Sequence, residues 1–338
     1  MFVVRPAIID DLGNLLKLAR TVHFVNLPPD KDIIANKIVR SRKSFAGEFD
    51  DDPRERLYMF CMEDSETGNI VGSSMIVCCV SWPGHPHTYL RVRRRELFSD
   101  DLQTGQVHLT LEFDVDETGP SELGGLIIAP GYRGHPGKLG KVMSMIRFHF
   151  MGLEPERFSE RVIAEMMGRI SPDNRNLLWD YLGRRFINLS YKEADLFCQH
   201  SKEFMTSLFP PGEIYASLLP PEARNLIAKV GEETRPARAM LENQGFRYEG
   251  TIDPFDGGPY LETMRDDIPL VKATGSYTLN GVDGGFDRIG IVSCTGEVGF
   301  RAVRSEYRVD GEHIGLPRAS AEAIGAEDGA SVGVTPLD

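Results

Sequence analysis

One stretch of the chain combines glycine, cations and an element boundary. It reads Leu126-Ile127-Ile128-Ala129-Pro130-Gly131-Tyr132-Arg133-Gly134-His135-Pro136-Gly137-Lys138-Leu139-Gly140-Lys141. An apolar strand runs into a glycine-rich turn, and the turn opens an amphipathic helix. The first N–H groups of such a helix have no intrahelical acceptor and carry partial positive charge, so they suit a phosphate or pyrophosphate. Glycines permit close backbone approach, and Arg133, Lys138 and Lys141 add fixed charge. The stretch is not a P-loop: Gly131 to Gly137 is one residue too long, and Leu139 stands where a hydroxyl is needed. The spacing G-x-G-x-x-G fails as well. On composition alone, a strand–helix connection without a ligand is the more ordinary reading.

The elements that must position this turn follow from periodicity. Residues 2–6 read as a strand. A helix follows with Leu12, Leu15, Leu16 and Leu18 at helical spacing, and a second spans 30–45 with Ile33, Ile34, Ile38 and Val39 on one face. Residues 57–62 and 70–80 read as strands joined by a polar turn. Residues 82–106 are basic and irregular and read as a loop with solvated strand edges. Strands are expected at 107–113 and 121–128, a helix at 138–151 and a strand at 161–167. A helix at 174–182, stopped by Gly183, should lead into a strand at 186–189. Helical pieces broken by prolines fill 191–230. A helix from Pro236 stops at Gly245, before a strand at 246–252. One echo, helix then Gly then Phe-led strand, occurs at 175–189 and again at 236–252, although two instances do not prove a duplication. Beyond residue 266 short glycine-rich β segments suit a small barrel.

The chain has 338 residues, 41% hydrophobic and 26% charged, with 38 Lys plus Arg against 50 Asp plus Glu. That suffices for a large core and excludes intrinsic disorder and a disulfide-stapled miniprotein. The net charge of −12 argues against a nucleic-acid backbone as partner. No uninterrupted apolar run approaches a membrane span, no signal peptide is visible, and five cysteines without metal or disulfide spacing suit a reducing cytoplasm. His85-Pro86-His87 lacks a third ligand at metal spacing and reads as a surface loop, so no metal is expected. No G-x-S-x-G elbow is present.

The order strand, Arg/Gly turn, helix, strand, helix, glycine and aromatic-led strand resembles the GNAT acyl-CoA N-acyltransferase fold. Finer motifs are similar to those of the arginine N-succinyltransferase family. They are Thr118-Gly119-x-Ser121-Glu122-Leu123, Pro130-x-x-Arg133, Arg147-Phe148-x-Phe150-Met151, Val162-Ile163-Ala164-Glu165-Met166, Trp179-x-x-Leu182-Gly183-x-x-Phe186, Ala194-Asp195, and Gly245-Phe246-Arg247-Tyr248 with Ile252-Asp253-x-Phe255-Asp256-Gly257-Gly258-Pro259-x-Leu261-Glu262. The similarity runs from about residue 2 to 265. It implies an α/β (α+β) fold, a GNAT-like mixed sheet flanked by helices over 1–265, with a small β-barrel-like C-terminal domain over 266–338.

The resemblance further implies transfer of a succinyl group from succinyl-CoA, a co-substrate rather than a bound cofactor, to the α-amine of arginine in arginine catabolism. The partners are then an acyl-CoA and an amino-acid amine; an assembly of like or unlike subunits stays open. The CoA pyrophosphate would sit on Arg133, Gly134, Gly137, Lys138 and Gly140, with Leu126 the acyl-CoA contact on the preceding strand. This requires an open turn with unspent amides. The turn is about two residues longer than the fold's usual one, with Pro136 where a glycine is expected, and Gly231 stands where the family has its proton-donor histidine. Other readings are therefore the same fold acting on another amine or acyl-CoA, and a non-catalytic acyl-CoA-binding subunit. Glu122 and Glu165 are candidate bases, or else paired face residues. Tyr181 is a candidate proton donor to the leaving thiolate, or a packing residue. Asp253, Asp256 and Glu262 can bind a guanidinium or close an Asx turn around Gly257-Gly258.

Overall fold

The computed structural model describes residues 1–21, 27–171, 173, 175–198, 201–281 and 284–337. In chain order the strands are β1 (Phe2–Pro6), β2 (Leu57–Asp64), β3 (Asn69–Val77), β4 (His87–Ser99), β5 (Thr104–Asp116), β6 (Ser121–Ile128), β7 (Arg161–Glu165), β8 (Glu213–Tyr215), β9 (Arg247–Ile252), β10 (Pro259–Met264), β11 (Gly275–Leu279), β12 (Arg288–Gly296), β13 (Gly299–Asp310), β14 (His313–Gly315) and β15 (Ser331–Pro336). The helices are α1 (Leu12–Ala19), α2 (Lys31–Phe45), α3 (Leu139–Leu153), α4 (Leu177–Tyr181), α5 (Gly183–Phe186), α6 (Tyr191–Cys198), α7 (Glu203–Leu208), α8 (Pro221–Arg224), α9 (Arg235–Glu242), α10 (Pro269–Ala273) and α11 (Arg318–Ile324). No described helix is long and apolar enough to cross a membrane. Contacts divide the chain into two units, one of Met1–Cys79, Ser121–Val162 and Thr263–Asp338, the other of Val80–Pro120 and Ile163–Glu262.

In the first unit β1, β2, β3 and β6 form an antiparallel run, β1–β2–β3–β6. Helices α1 and α2 cover one face, burying Leu15, Leu18, Ile34 and Ile38 against Leu57, Met59, Met75 and Ile127. Asp30 caps α2 by accepting from the N–H groups of Asp32 and Ile33. Beyond the end of β1, the β2 amides of Leu57 and Met59 find acceptors on α2: Ser44 Oγ at 3.0 Å and Ser41 Oγ at 2.9 Å. These serines hold the helix against the strand.

Past residue 266 the expected β segments are present. They close a ring in the order β12–β15–β11–β14–β13–β12 around Val292, Val303, Tyr307, Ile314, Ile324 and Val334. Antiparallel pairing of β13 with β1 places this barrel in the same compact unit as residues 1–79. Inside that unit His149 of α3 bonds Thr335 Oγ1 at 2.6 Å and Ser293 Oγ at 2.7 Å.

The second unit has the strand order β7–β10–β9–β4–β5–β8. Its core gathers Leu90, Leu111, Trp179, Leu182, Met205, Phe209, Ile252 and Phe255. Residues 87–99, read from sequence as loop and edges, form one long strand, paired with β5 from His87↔Asp116 to Ser99↔Thr104. Charge replaces hydrophobic alternation here. Arg91 pairs with Asp114 at 2.9 Å, Arg93 with Glu112 at 3.2 Å, and Arg95 with Glu213. The strand expected at 186–189 is absent. Gly183 does not stop the helix but opens α5, and the Ile187 N–H donates to Gly183 O at 2.9 Å. The backbone then turns so that Leu189 O accepts from Trp179 Nε1 at 3.0 Å. The two-part echo therefore does not hold at the level of structure, since only its second instance contains a strand. Of the helix expected at 174–182, Asn174 lies outside the described residues.

Candidate functional site

β6 ends at Ile128 and a 3-10 turn, Pro130–Tyr132, redirects the chain. Within the turn the amides of Tyr132, Arg133, His135 and Lys138 reach loop carbonyls, and that of Gly137 reaches His135 Nδ1 at 2.9 Å. The sequence reading required unspent amides after Pro130, and within the turn it fails: Tyr132, Arg133, His135, Gly137 and Lys138 all spend theirs on the loop itself. Those that open α3 are unspent. Lys138 takes the left-handed conformation (φ 53°), offers no side-chain cap, and leaves the N–H groups of Leu139, Gly140 and Lys141 without an acceptor among the described residues. Arg133, Gly134 and Lys138 are exposed, and Gly140 is half-buried. Lys141 is not part of the charge set, because its Nζ donates to Leu337 O at 2.8 Å.

The strand leading into this turn is bulged. The β3–β6 register passes from Ser73↔Ile127 to Met75↔Gly124, so Ser74 faces both Gly125 and Leu126. Gly125 has φ 58°, and a Cβ there would lie 2.9 Å from the Met75 side chain, which makes glycine the residue that fits. Ser73 Oγ donates to Gly125 O at 3.0 Å. Leu126, the expected acyl-CoA contact, sits in this bulge and is half-buried. Glu122 lies on the same strand and is buried.

In the second unit the Asx-turn reading of Asp253 and Asp256 holds in full. Asp253 Oδ1 accepts from Phe255 and Asp256, each at 2.8 Å; Asp256 accepts from Gly258 and Gly168, each at 2.7 Å. A Cβ on Gly258 would stand 1.9 Å from Met166 O, so the turn closes only on glycine. The other Asp253 oxygen meets Tyr260 Oη at 3.4 Å, and the same hydroxyl meets Glu165 Oε2 at 3.3 Å. Burial pushes the Asp253 carboxyl up to about 6, against the pull of its backbone donors and of Lys202. Asp195 also rises to about 6, through burial and then the Asp253 charge. Burial and Asp253 hold Asp256 well above the ordinary range. Several carboxyls thus share a buried site, each charge raising its neighbours, with Lys202 opposing the shift at Asp253.

Tyr260, Asp195 and Lys202 were not singled out from sequence. Asp195 and the residues flanking Tyr260 stood within the quoted motifs, so proximity to a motif was the available signal. His87, read as a surface-loop residue, is buried with its ring centroid 4.8 Å from that of Tyr260, edge to face. Its place is fixed by opening β4. Glu262 faces Arg247 across the β9–β10 ladder. Tyr181 does not join the Asp253–Tyr260–Glu165 contacts; it is 39% exposed and lines a cavity of about 400 Å3 with Arg175, Asp180, Arg184 and Arg185. Gly231 donates its N–H to Met167 O at 3.0 Å. Among the described residues no cluster of His, Cys, Asp or Glu is arranged as a metal site. Burial lifts the Cys78 thiol to about 12, which makes it a poor nucleophile.

A bulged strand, a glycine-rich turn and an uncapped helix N-terminus, set in a mixed sheet flanked by helices, define an acyltransferase of GNAT-like fold, which takes its acyl group from an acyl-CoA and gives it to an amine. The family model described as arginine N-succinyltransferase beta subunit matches residues 2–270, and the chain belongs to that family. An arginine N-succinyltransferase of Yersinia pestis is 34% identical over 348 aligned residues, covering 100% of this chain and 98% of that protein. One of Shigella boydii is 36% identical over 276 residues, covering 80% and 78%. Among solved structures, the arginine/ornithine succinyltransferase subunit AI from Pseudomonas aeruginosa matches with a TM-score of 0.86 at 28% identity, over 100% of this chain and 99% of that one.

Proposed function

We propose that this enzyme transfers a succinyl group from succinyl-CoA to the α-amine of arginine. The observation that carries the reading is the trio of unspent N–H groups at the start of α3, one turn beyond a bulged strand. A diphosphate is the ligand such a terminus favours. In this reading Arg133, Gly134, Lys138 and Gly140 hold it, and the pantetheine arm runs back along β6 to Leu126. A bulge frees backbone groups from the ladder; an N–H there polarises the thioester carbonyl and stabilises the oxyanion.

The reaction needs no covalent enzyme intermediate. The neutral amine nitrogen attacks the thioester carbon, the tetrahedral intermediate collapses, and the C–S bond breaks. The nitrogen loses one proton and the CoA sulfur gains one. Glu165, with Tyr260 and Asp253, is the proposed proton acceptor. The guanidinium complements the buried carboxyl site around Asp253 and Asp195, whose mutual repulsion a bound cation would relieve. Asp256 serves that site by bracing its turn. No acid–base role falls to Gly231 in this scheme.

The test is free-thiol release by the purified chain from succinyl-CoA with a panel of amines. Turnover with arginine ahead of the other amines supports the proposal. Turnover with another amine alone, or CoA binding without turnover, overturns it.

A further inference from the structure

Lys37 occupies a position that helix patterning assigns to the core. The residues of α2 that turn toward the sheet are Ile34, Ile38, Ser41 and Ser44, all buried. Lys37 falls within their arc, three residues after Ile34 and four before Ser41, and is half-buried. An ammonium drawn onto a packed face calls for an anionic or acceptor partner. Among the described residues Lys37 makes no ion pair or hydrogen bond.

The register identifies what it faces. Leu57, Val77 and Glu122 form one row across β2, β3 and β6, and side chains in one row share a face. Leu57 packs into the core under α1 and α2, so Glu122 projects from the same side as Lys37. Burial lowers the Lys37 ammonium, and Glu122 is the carboxylate that opposes the shift. Arg40, one turn along, is engaged by the carbonyls of Glu55 and Arg54 and is balanced by the Glu55 carboxylate at 3.9 Å.

Direction along β6 supplies the ligand. The proposed diphosphate site follows the C-terminal end of β6 and the bulge lies at Gly125–Leu126. A thioester carbonyl at the bulge therefore extends its acyl chain toward Glu122. From its thioester carbon to its carboxylate oxygens an extended succinyl group spans about 5 Å, about one and a half residue rises of a strand. We infer that Lys37 recognises the free carboxylate at the far end of the acyl group and so selects a dicarboxylic acyl donor. This rests on the acyl-CoA reading above and names the determinant of its donor specificity.

The experiment compares succinyl-CoA with acetyl-CoA, whose acyl group carries no carboxylate, in the intact enzyme and in K37M and K37R. K37M is expected to lower kcat/KM for succinyl-CoA at least tenfold, mainly through KM, and to leave acetyl-CoA within twofold. K37R is expected to recover part of the loss. An equal loss with both donors, or an unchanged ratio between them, overturns the inference. Should the native enzyme transfer no acyl group, the function proposal fails separately. The ratio of the two Kd values by calorimetry, in native enzyme and K37M, then decides the role of Lys37 by itself.

Discussion

At the scale of single residues, burial sets the chemistry. Asp253 has a folded-state pKa of about 6 against an ordinary 3.8. A carboxyl raised on folding stays protonated longer in the native state, so its contribution to stability is complete below pH 4 and is lost as pH rises to 6. Two units correspond to about 3 kcal/mol. D253N keeps an oxygen to accept from Phe255 and Asp256 and removes the charge. It should therefore be more stable than the native chain at pH 7.5, by up to about 3 kcal/mol, and no more stable at pH 4. Urea unfolding at both pH values checks this, and arginine should raise Tm less in D253N than in the native chain at pH 7.5. His149 has the opposite sign. Burial lowers its imidazole to about 3, so the stabilisation is complete above pH 6.5 and fades as pH falls toward 3, by at most about 5 kcal/mol. H149Q should flatten the acid limb of the stability profile between pH 6.5 and 4. A native-like slope in that variant would remove His149 as its source. The sequence made Asp253 and Asp256 visible because they cluster around two glycines. Lys37 and Tyr260 stayed hidden, because one polar residue in an otherwise regular element has no spacing to betray it.

At the scale of elements, the strand–turn–helix unit around Pro130 was legible because its glycines and cations interrupt two strongly apolar segments. What sequence could not show was which amides the loop spends on itself. That depends on His135 folding back to accept from Gly137 and on Lys138 adopting φ 53°. The strand at 87–99 was missed for a different reason: arginines supply cross-strand pairs where alternation of apolar residues is the usual signal. The loop yields a paired prediction. K138G relieves a left-handed conformation that costs a non-glycine residue roughly 1 kcal/mol, so the variant should unfold at higher denaturant. It also loses a charge beside the uncapped terminus and should bind CoA more weakly. K141A loses the contact to Leu337 O and should leave CoA affinity unchanged. Equal effects of both substitutions on CoA binding would show that general positive charge, rather than the geometry at the start of α3, holds the ligand.

At the scale of the whole molecule, the two proposed substrates meet opposite long-range fields. The chain carries a net charge of −12, while CoA is a polyanion and arginine a net cation. Local donors at the helix start act within a few ångströms, whereas net charge acts over the Debye length, about 10 Å at 0.1 M salt. Raising salt from low to physiological strength screens a repulsion for CoA and an attraction for arginine. The association rate of a fluorescent CoA analogue in stopped flow should therefore rise with salt, and the affinity for arginine should fall. A basic CoA site on a basic protein would slow under the same change. If CoA association slows here too, then Arg133, Lys138 and the α3 terminus dominate the field even at long range. The acidic surplus would in that case be screened from the path that CoA takes to its site.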